Sequence, residues 1–204
     1  MPLTLKPATG SGQMTLISVA GTTTSDTLTL PAKTGNIITS ADTGTVTQTM
    51  LSTNVAGNGP AFMAYANASQ TVTLSTWTKA AINTEETNGD PNSCFDTTNN
   101  RFLPTVAGYY QINGNIRLTA ATTITQLFVA IYKNGVEYAR GAQMATSFTA
   151  GAGIQMPISE VIYFNGTSDY VELWGQIQGS GTAQFIYVAQ SITARFSGCL
   201  VRAA

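Results

Sequence analysis

The chain has 204 residues, of which 43% are apolar and only 9% charged, with a net charge of −1 and no histidine. That is enough length and apolar side chain for one large domain with a core. It excludes the clustered basic footprint of a nucleic-acid binder, it offers no apolar run of membrane-spanning length, and the missing imidazole removes the commonest general base and with it Ser-His and Cys-His nucleophiles.

With so few charges, the polar surface must come from Thr, Ser, Asn, Gln and Gly. Short Thr-rich runs favour strands over helices. The opening residues, MPLTLKPATGSG, have no apolar stretch behind Lys6. They do not read as a secretory signal, and the chain is expected to stay in the cytoplasm until assembly or lysis. Residues 1–56 contain no aromatic side chain, and their only charges are Lys6, Asp26, Lys33 and Asp42. Such a segment cannot bury enough area to fold alone, so it is either disordered or completed by another chain. It carries an internal echo: GQMTLISVAG from Gly12 is answered by SDTLTLPAKTG from Ser25, each a short alternating strand closed by glycine. Val46, Met50 and Leu51 are spaced for a short helix or connector. Gly57-Asn58-Gly59-Pro60 then marks a boundary between an attachment segment, 1–59, and a head, 60–204.

Beyond Pro60 strands follow one another with turn residues between them. The spacing predicts strands from Ala61 (AFMAYAN), Thr71 (TVTLSTWTKAAIN) and Gly108 (GYYQINGNIRLTA). The run from Leu127 predicts a hairpin around Lys133-Asn134-Gly135, since Asn-Gly is the strongest short hairpin signal. A second hairpin-like pair is expected around residues 165–168, with Pro157 near a strand start or on an edge. Two more strands close the chain. This is the pattern of an all-β sandwich or jelly roll. Cys94 and Cys199 leave a bridge open, and two reduced thiols are the simpler expectation for a chain without an export signal.

Several stretches, in order, resemble the globular head of the complement component one, subcomponent q family, a trimeric jelly-roll family related to tumour necrosis factor. Ala61-Phe62 is similar to the family's opening strand. Phe95 to Phe102 is similar to its turn between a Phe-Asp and a Phe. Val106-Ala107-Gly108-Tyr109-Tyr110 resembles its Gly-x-Tyr strand start, and Tyr132 to Gly135 its central hairpin. GTSDYVEL from Gly166 resembles its Gly-Asp-x-Val-x-Leu strand with extra residues, and Phe196 to Leu200 its closing Phe-x-Gly-x-Leu. The chain departs from the family's vertebrate members in having no Gly-X-Y collagen stem. Leu28 to Gly35, LTLPAKTG, is similar instead to a closure near the start of many bacteriophage fibre and structural proteins. Together the resemblances imply a non-enzymatic, homotrimeric bacteriophage fibre on the tail or head of the virion. Residues 1–59 would attach to a capsid or tail protein, and the head would adhere to a host surface glycan or protein. A capsid decoration protein without receptor role and a glycan-degrading spike are the alternatives.

The motif residues read as structural. Asp96 to Asn100 forms an Asx-rich turn. Tyr109 and Tyr110 point to opposite sheet faces, and Gly198 leaves room for a neighbouring element. Glu85 and Glu86 are adjacent in a loop and do not suit the paired carboxylates of glycan cleavage. Asp169 and Glu172 share a predicted strand at odd spacing, on opposite faces. Calcium is the one cofactor considered, through the oxygen ligands Glu85, Glu86, Asn88 and Asp90. Trp77 and Trp174 lie in predicted strands, where core or interface roles outweigh sugar stacking. The candidate binding residues are those of two small-residue loops: Thr146, Phe148 and Thr149 in 146–153, and Ser180, Thr182 and Gln184 in 179–184.

Overall fold

The structure is a computed structural model, and it describes residues 3–5, 14–16, 57–120, 122–149, 153–185 and 193–204; of 3–5, 14–16 and 146–149 only the backbone is described. The chain divides into two units, Met1–Asp42 and Thr43–Ala204. In the first, β1 (Leu3–Leu5) pairs antiparallel with β2 (Met14–Leu16), so the alternating run at Met14 is a strand as expected. Its echo at Leu28–Leu30 and the helical spacing of 45–55 lie outside the described residues.

The second unit is all-β, with no helix among its described residues. Its strands are β3 (Ala61–Tyr65), β4 (Gln70–Val72), β5 (Thr78–Lys79), β6 (Thr84–Glu85), β7 (Phe95–Asp96), β8 (Arg101–Phe102), β9 (Gly108–Ala120), β10 (Thr123–Lys133), β11 (Val136–Thr149), β12 (Ile154–Phe164), β13 (Val171–Ser180), β14 (Ala183–Phe185) and β15 (Arg195–Ala203). They form two antiparallel sheets. In the first, β9 has β12 on one edge and both β15 and β14 on the other; β3 and then β6 continue beyond β15, and β4 beyond β14. In the second the order is β11, β10, β13, with β5 and β8 sharing the far edge of β13 and β7 beyond β8. The chain repeatedly steps between sheets and places its last strand beside β3. This strand order defines a jelly roll.

Period-two alternation explains which face each strand buries. Along β9, Tyr110, Ile112, Ile116 and Leu118 point inward and are fully buried, while Tyr109 points out and is 40% exposed. Leu127, Val129 and Ile131 of β10 and Val171, Leu173 and Ile177 of β13 meet them from the other sheet. One end of the core is aromatic. Phe62 stacks on Phe102 at 4.2 Å and on Phe95 at 5.1 Å, with Phe196 edge-on at 5.0 Å. Tyr110 and Phe164 extend the group. The Tyr110 hydroxyl donates to the Val106 carbonyl at 2.8 Å, so the buried phenol is satisfied, and burial pushes its pKa well above the ordinary range. Each such pair adds about 0.5–1.5 kcal/mol beyond area burial.

The expected hairpin is present: Asn134 and Gly135 both have positive φ, 53° and 79°, the twist-matching turn that joins β10 to β11. The Asx-rich turn is also formed, with Asp96 Oδ1 accepting the N–H groups of Thr98 and Asn99 and Asn100 at φ 52°. Pro157 lies in β12, whose one described partner is β9, which makes it an edge strand. The second hairpin-like pair is corrected: β12 belongs to the first sheet and β13 to the second. The loop between them folds on its own side chain, Asn165 Oδ1 accepting the N–H groups of Thr167, Ser168 and Asp169. Asp169 sits in that loop rather than on the strand, tied to Lys133 at 3.0 Å and Asn134 at 2.8 Å. These ties turn the chain across the sandwich instead of back along one sheet.

Candidate functional site

The candidate loop 146–153 is corrected at its start. Thr146, Phe148 and Thr149 belong to β11, and the ladder to β10 runs through Ile124↔Phe148 and Thr123↔Thr149. Thr and Phe favour a pleated strand, and the ladder reaches them past three register shifts. The segment 179–184 is likewise mostly strand: Ser180 ends β13, Gln184 lies in β14, and only Gly181 and Thr182 join them. Thr182 and Ser180 are exposed and Gln184 is half-buried. The two segments do converge, because Thr123 pairs with Thr149 on one side and Ser180 on the other.

The acidic loop is held by its own structure. Glu86 is ion-paired with Arg195, the Gly89 N–H donates to the Glu86 carbonyl at 2.8 Å, and Asp90 Oδ2 accepts the Phe95 N–H at 2.6 Å. Glu85 lies in β6, and Asn88 is an exposed turn residue at φ 60°. Among the described residues no group of three or more His, Cys, Asp or Glu side chains could hold a metal ion. Both cysteines are free thiols, Cys94 buried and Cys199 exposed. Burial pushes the Cys94 thiol up, away from reactivity.

Two surface faces stand out instead. On the outer side of the second sheet Trp174 (β13) and Tyr132 (β10) stack at 4.3 Å. Trp77 precedes β5 rather than lying within it, and reaches over Phe128 and Tyr132, 6.0 Å from each. The Arg140 guanidinium lies 5.3 Å from the Trp77 ring centre and makes two hydrogen bonds, of 2.8 and 3.0 Å, to Glu137. Glu172 is buried on this face; Lys79 donates to one of its oxygens at 3.0 Å and Trp174 Nε1 to the other at 3.0 Å. Burial, then the Glu137 charge, pushes the Tyr132 phenol up, so it stays neutral. The three rings of Trp77, Tyr132 and Trp174 remain half-buried. Sequence reading singled out the tryptophans but missed the cluster. The signal was parity: Tyr132 and Trp174 alternate with the inward Ile131 and Leu173.

The outer side of the first sheet is apolar where it should face water. Tyr109 and Tyr163 pair across β9 and β12 with ring centres 5.4 Å apart, and Arg202 lies over Tyr109 at 5.2 Å. Tyr163 is 40% exposed, Val161 48%, Met63 49% and Val201 50%. Between them runs a polar strip in which Gln111 donates to Ser159 at 2.9 Å and Ser159 to Asn113 at 2.8 Å. Asn115 Oδ1, in the next outward position, is buried without a partner.

No protein-family model matches the chain, and no curated protein matches its sequence. Among solved structures it is similar to the globular domain of zebrafish complement 1qA protein, at 14% identity and TM-score 0.43 over 71% of this chain and 99% of that one. It is also similar to the Eiger TNF of S. frugiperda, at 11% identity and TM-score 0.49 over 71% of this chain and 95% of that one.

Proposed function

We propose that this protein is a non-enzymatic, homotrimeric virion appendage of a bacteriophage, attached through residues 1–59 and exposing its jelly-roll head for adhesion to the host surface. The observation that carries the reading is the outer face of the β12–β9–β15–β3 layer. Four large apolar or aromatic side chains there, Met63, Val161, Tyr163 and Val201, are about half exposed beside Tyr109. A monomer would leave this patch in water, and patches of this kind mark interaction surfaces. A closed symmetric assembly of identical chains covers it without an open end.

The virion assignment draws on the N-terminal segment, which has no aromatic side chain and resembles phage fibre openings at Leu28 to Gly35. A trimer would suit adhesion: weak sites repeated three times per trimer, and again over many trimers, gain avidity without new contacts. The test is competition. Purified protein should coat susceptible cells and block phage adsorption, and leave surface polysaccharide uncleaved. A protein that does not attach while particles lacking it infect normally would make it a decoration protein. Released oligosaccharide would make it an enzyme.

A further inference from the structure

We propose that the outer face of the β13–β10–β11 sheet is a shallow platform for a neutral glycan; this rests on the adhesion reading and names its ligand. The position of the rings is the first argument. The inward face of these strands is already filled by Leu127, Val129, Ile131, Leu173 and Ile177. Yet both tryptophans of the chain and Tyr132 lie half-buried on the outer side, with Trp77 over the buried Phe128. Half-buried aromatic rings fixed against one another are rigid apolar surface of the kind that binding sites use.

The second argument is charge. Lys79 and Arg140 carry two positive charges and Glu172 and Glu137 two negative ones, and each is paired within the face. Glu172 is doubly held, by the ammonium and by the Trp174 indole. The platform thus offers neither sign to a ligand, and its complement is a neutral molecule. The third argument is the polar rim. Gln143 and Gln176 pair with Phe128 across the strands; Gln176 is held between the Ser75 carbonyl, to which it donates at 3.1 Å, and Gln178, which donates to it at 3.4 Å, so the amides of Gln143 and Gln178 form the rim. An amide presents a donor and an acceptor side by side, which matches vicinal hydroxyls. A pyranose ring combines an apolar C–H face with such a hydroxyl rim, and is uncharged. A flat platform of this kind holds one or two sugars weakly, and three per trimer supply the avidity.

The chain provides its own reporter, since its two tryptophans are both on this face. The full-length protein is titrated with neutral gluco- and galacto-oligosaccharides, and with a uronate-containing oligosaccharide as a charged control. Tryptophan emission and calorimetry are read together. The expected result is a saturable emission change with a neutral oligosaccharide and none with the uronate. Trp77→Ala should weaken binding about tenfold, equivalent to about 1.4 kcal/mol, and Gln178→Ala should weaken it less while keeping both reporters. Loss of cell attachment should follow the same order. Emission that stays flat across the neutral panel, with both variants attaching to cells as well as wild type, overturns the platform and leaves adhesion to another surface. Preference for the uronate overturns it too, as does attachment that protease treatment of the cells abolishes and oligosaccharide does not compete. Wild-type protein that attaches to no host cell fails the adhesion reading itself.

Discussion

Gly198→Val tests the packing on which both faces depend. Gly198 lies in β15 between Phe196 and Leu200, opposite Phe62 on one side and Ile112 on the other. A Cβ there would stand 2.7 Å from the Gln111 carbonyl oxygen, 2.7 Å from Ile112 Cδ1 and 2.9 Å from Phe62 Cε1. Neither side can yield cheaply. The carbonyl belongs to the central strand β9, and the Phe62 ring is locked between Phe102 and Phe95. Overpacking typically costs about 1–3 kcal/mol, and valine adds two methyls beyond the Cβ that already collides, which places it at about 3. For a protein of this size each kcal/mol lowers Tm by about 2–4 °C, so a drop of about 6–12 °C is expected. Gly198→Ala should fall between wild type and valine. Thr182→Val, on the exposed turn after β13, should stay within about 0.5 kcal/mol of wild type. The assay is thermal unfolding followed by near-ultraviolet circular dichroism, all variants at one protein concentration because an oligomer's Tm depends on it. Equal melting temperatures for Gly198→Val and Thr182→Val would refute the placement of β15 against β3 and β9.

Deleting residues 1–59 should leave a head that unfolds cooperatively, since all its aromatic core lies beyond Gly59; loss of the sharp calorimetric transition would contradict this. Burial pushes the Asp169 carboxyl up, but the Asn134 amide, the Lys133 ammonium and the Asn165 N–H outweigh it and hold the group below its usual range. A depressed folded pKa gives stability that is present above the unfolded value of about 3.9 and lost as pH falls through the lower folded value. Urea midpoints should therefore decline with acid below about pH 4, and Asp169→Asn should be less stable at neutral pH with a flatter acid limb; parallel limbs for the two proteins would argue against it. Glu172→Gln should cost about 1–3 kcal/mol by leaving the Lys79 ammonium and the Trp174 indole without their shared carboxylate, read as a lower urea midpoint at unchanged slope.

Where local chemistry decides the structure, the sequence shows it. The bounds of β9 follow from its alternation after Gly108, the β10–β11 turn from Asn134-Gly135, and the Asp96 turn from its clustered Asx residues. What it hides is partnership at long range. Ile154 to Phe164 and Val171 to Ser180 alternate as well in one sheet as in two, so the step across the sandwich at Asn165 has no periodic signature. Thr146 to Thr149 look like loop because they run straight into the small residues Ala150 to Gly153, yet the ladder to β10 carries them. The Lys79–Glu172 and Arg195–Glu86 pairs join segments far apart in sequence. Alternation tells which side chains share a face, not which face the core occupies, so Trp77 and Trp174 read only as core or interface in the sequence. The candidate binding residues of the two segments lie mostly in strands rather than loops, and their strand ends at Thr149 and Ser180 are brought together around Thr123.

In the proposed trimer the apolar face of β12, β9, β15 and β3 is covered by copies of the same chain. Light scattering on the full-length protein at micromolar concentration tests it most directly, beside a Tyr163→Asp variant. Tyr163 is on an edge strand and 40% exposed, so the substitution places a charge in the proposed interface without entering the core. Wild type should have the mass of three chains, and the variant should dissociate toward single folded chains. A wild-type protein that stays a stable monomer at that concentration would contradict it, and so would a variant that keeps the trimer mass unchanged on dilution.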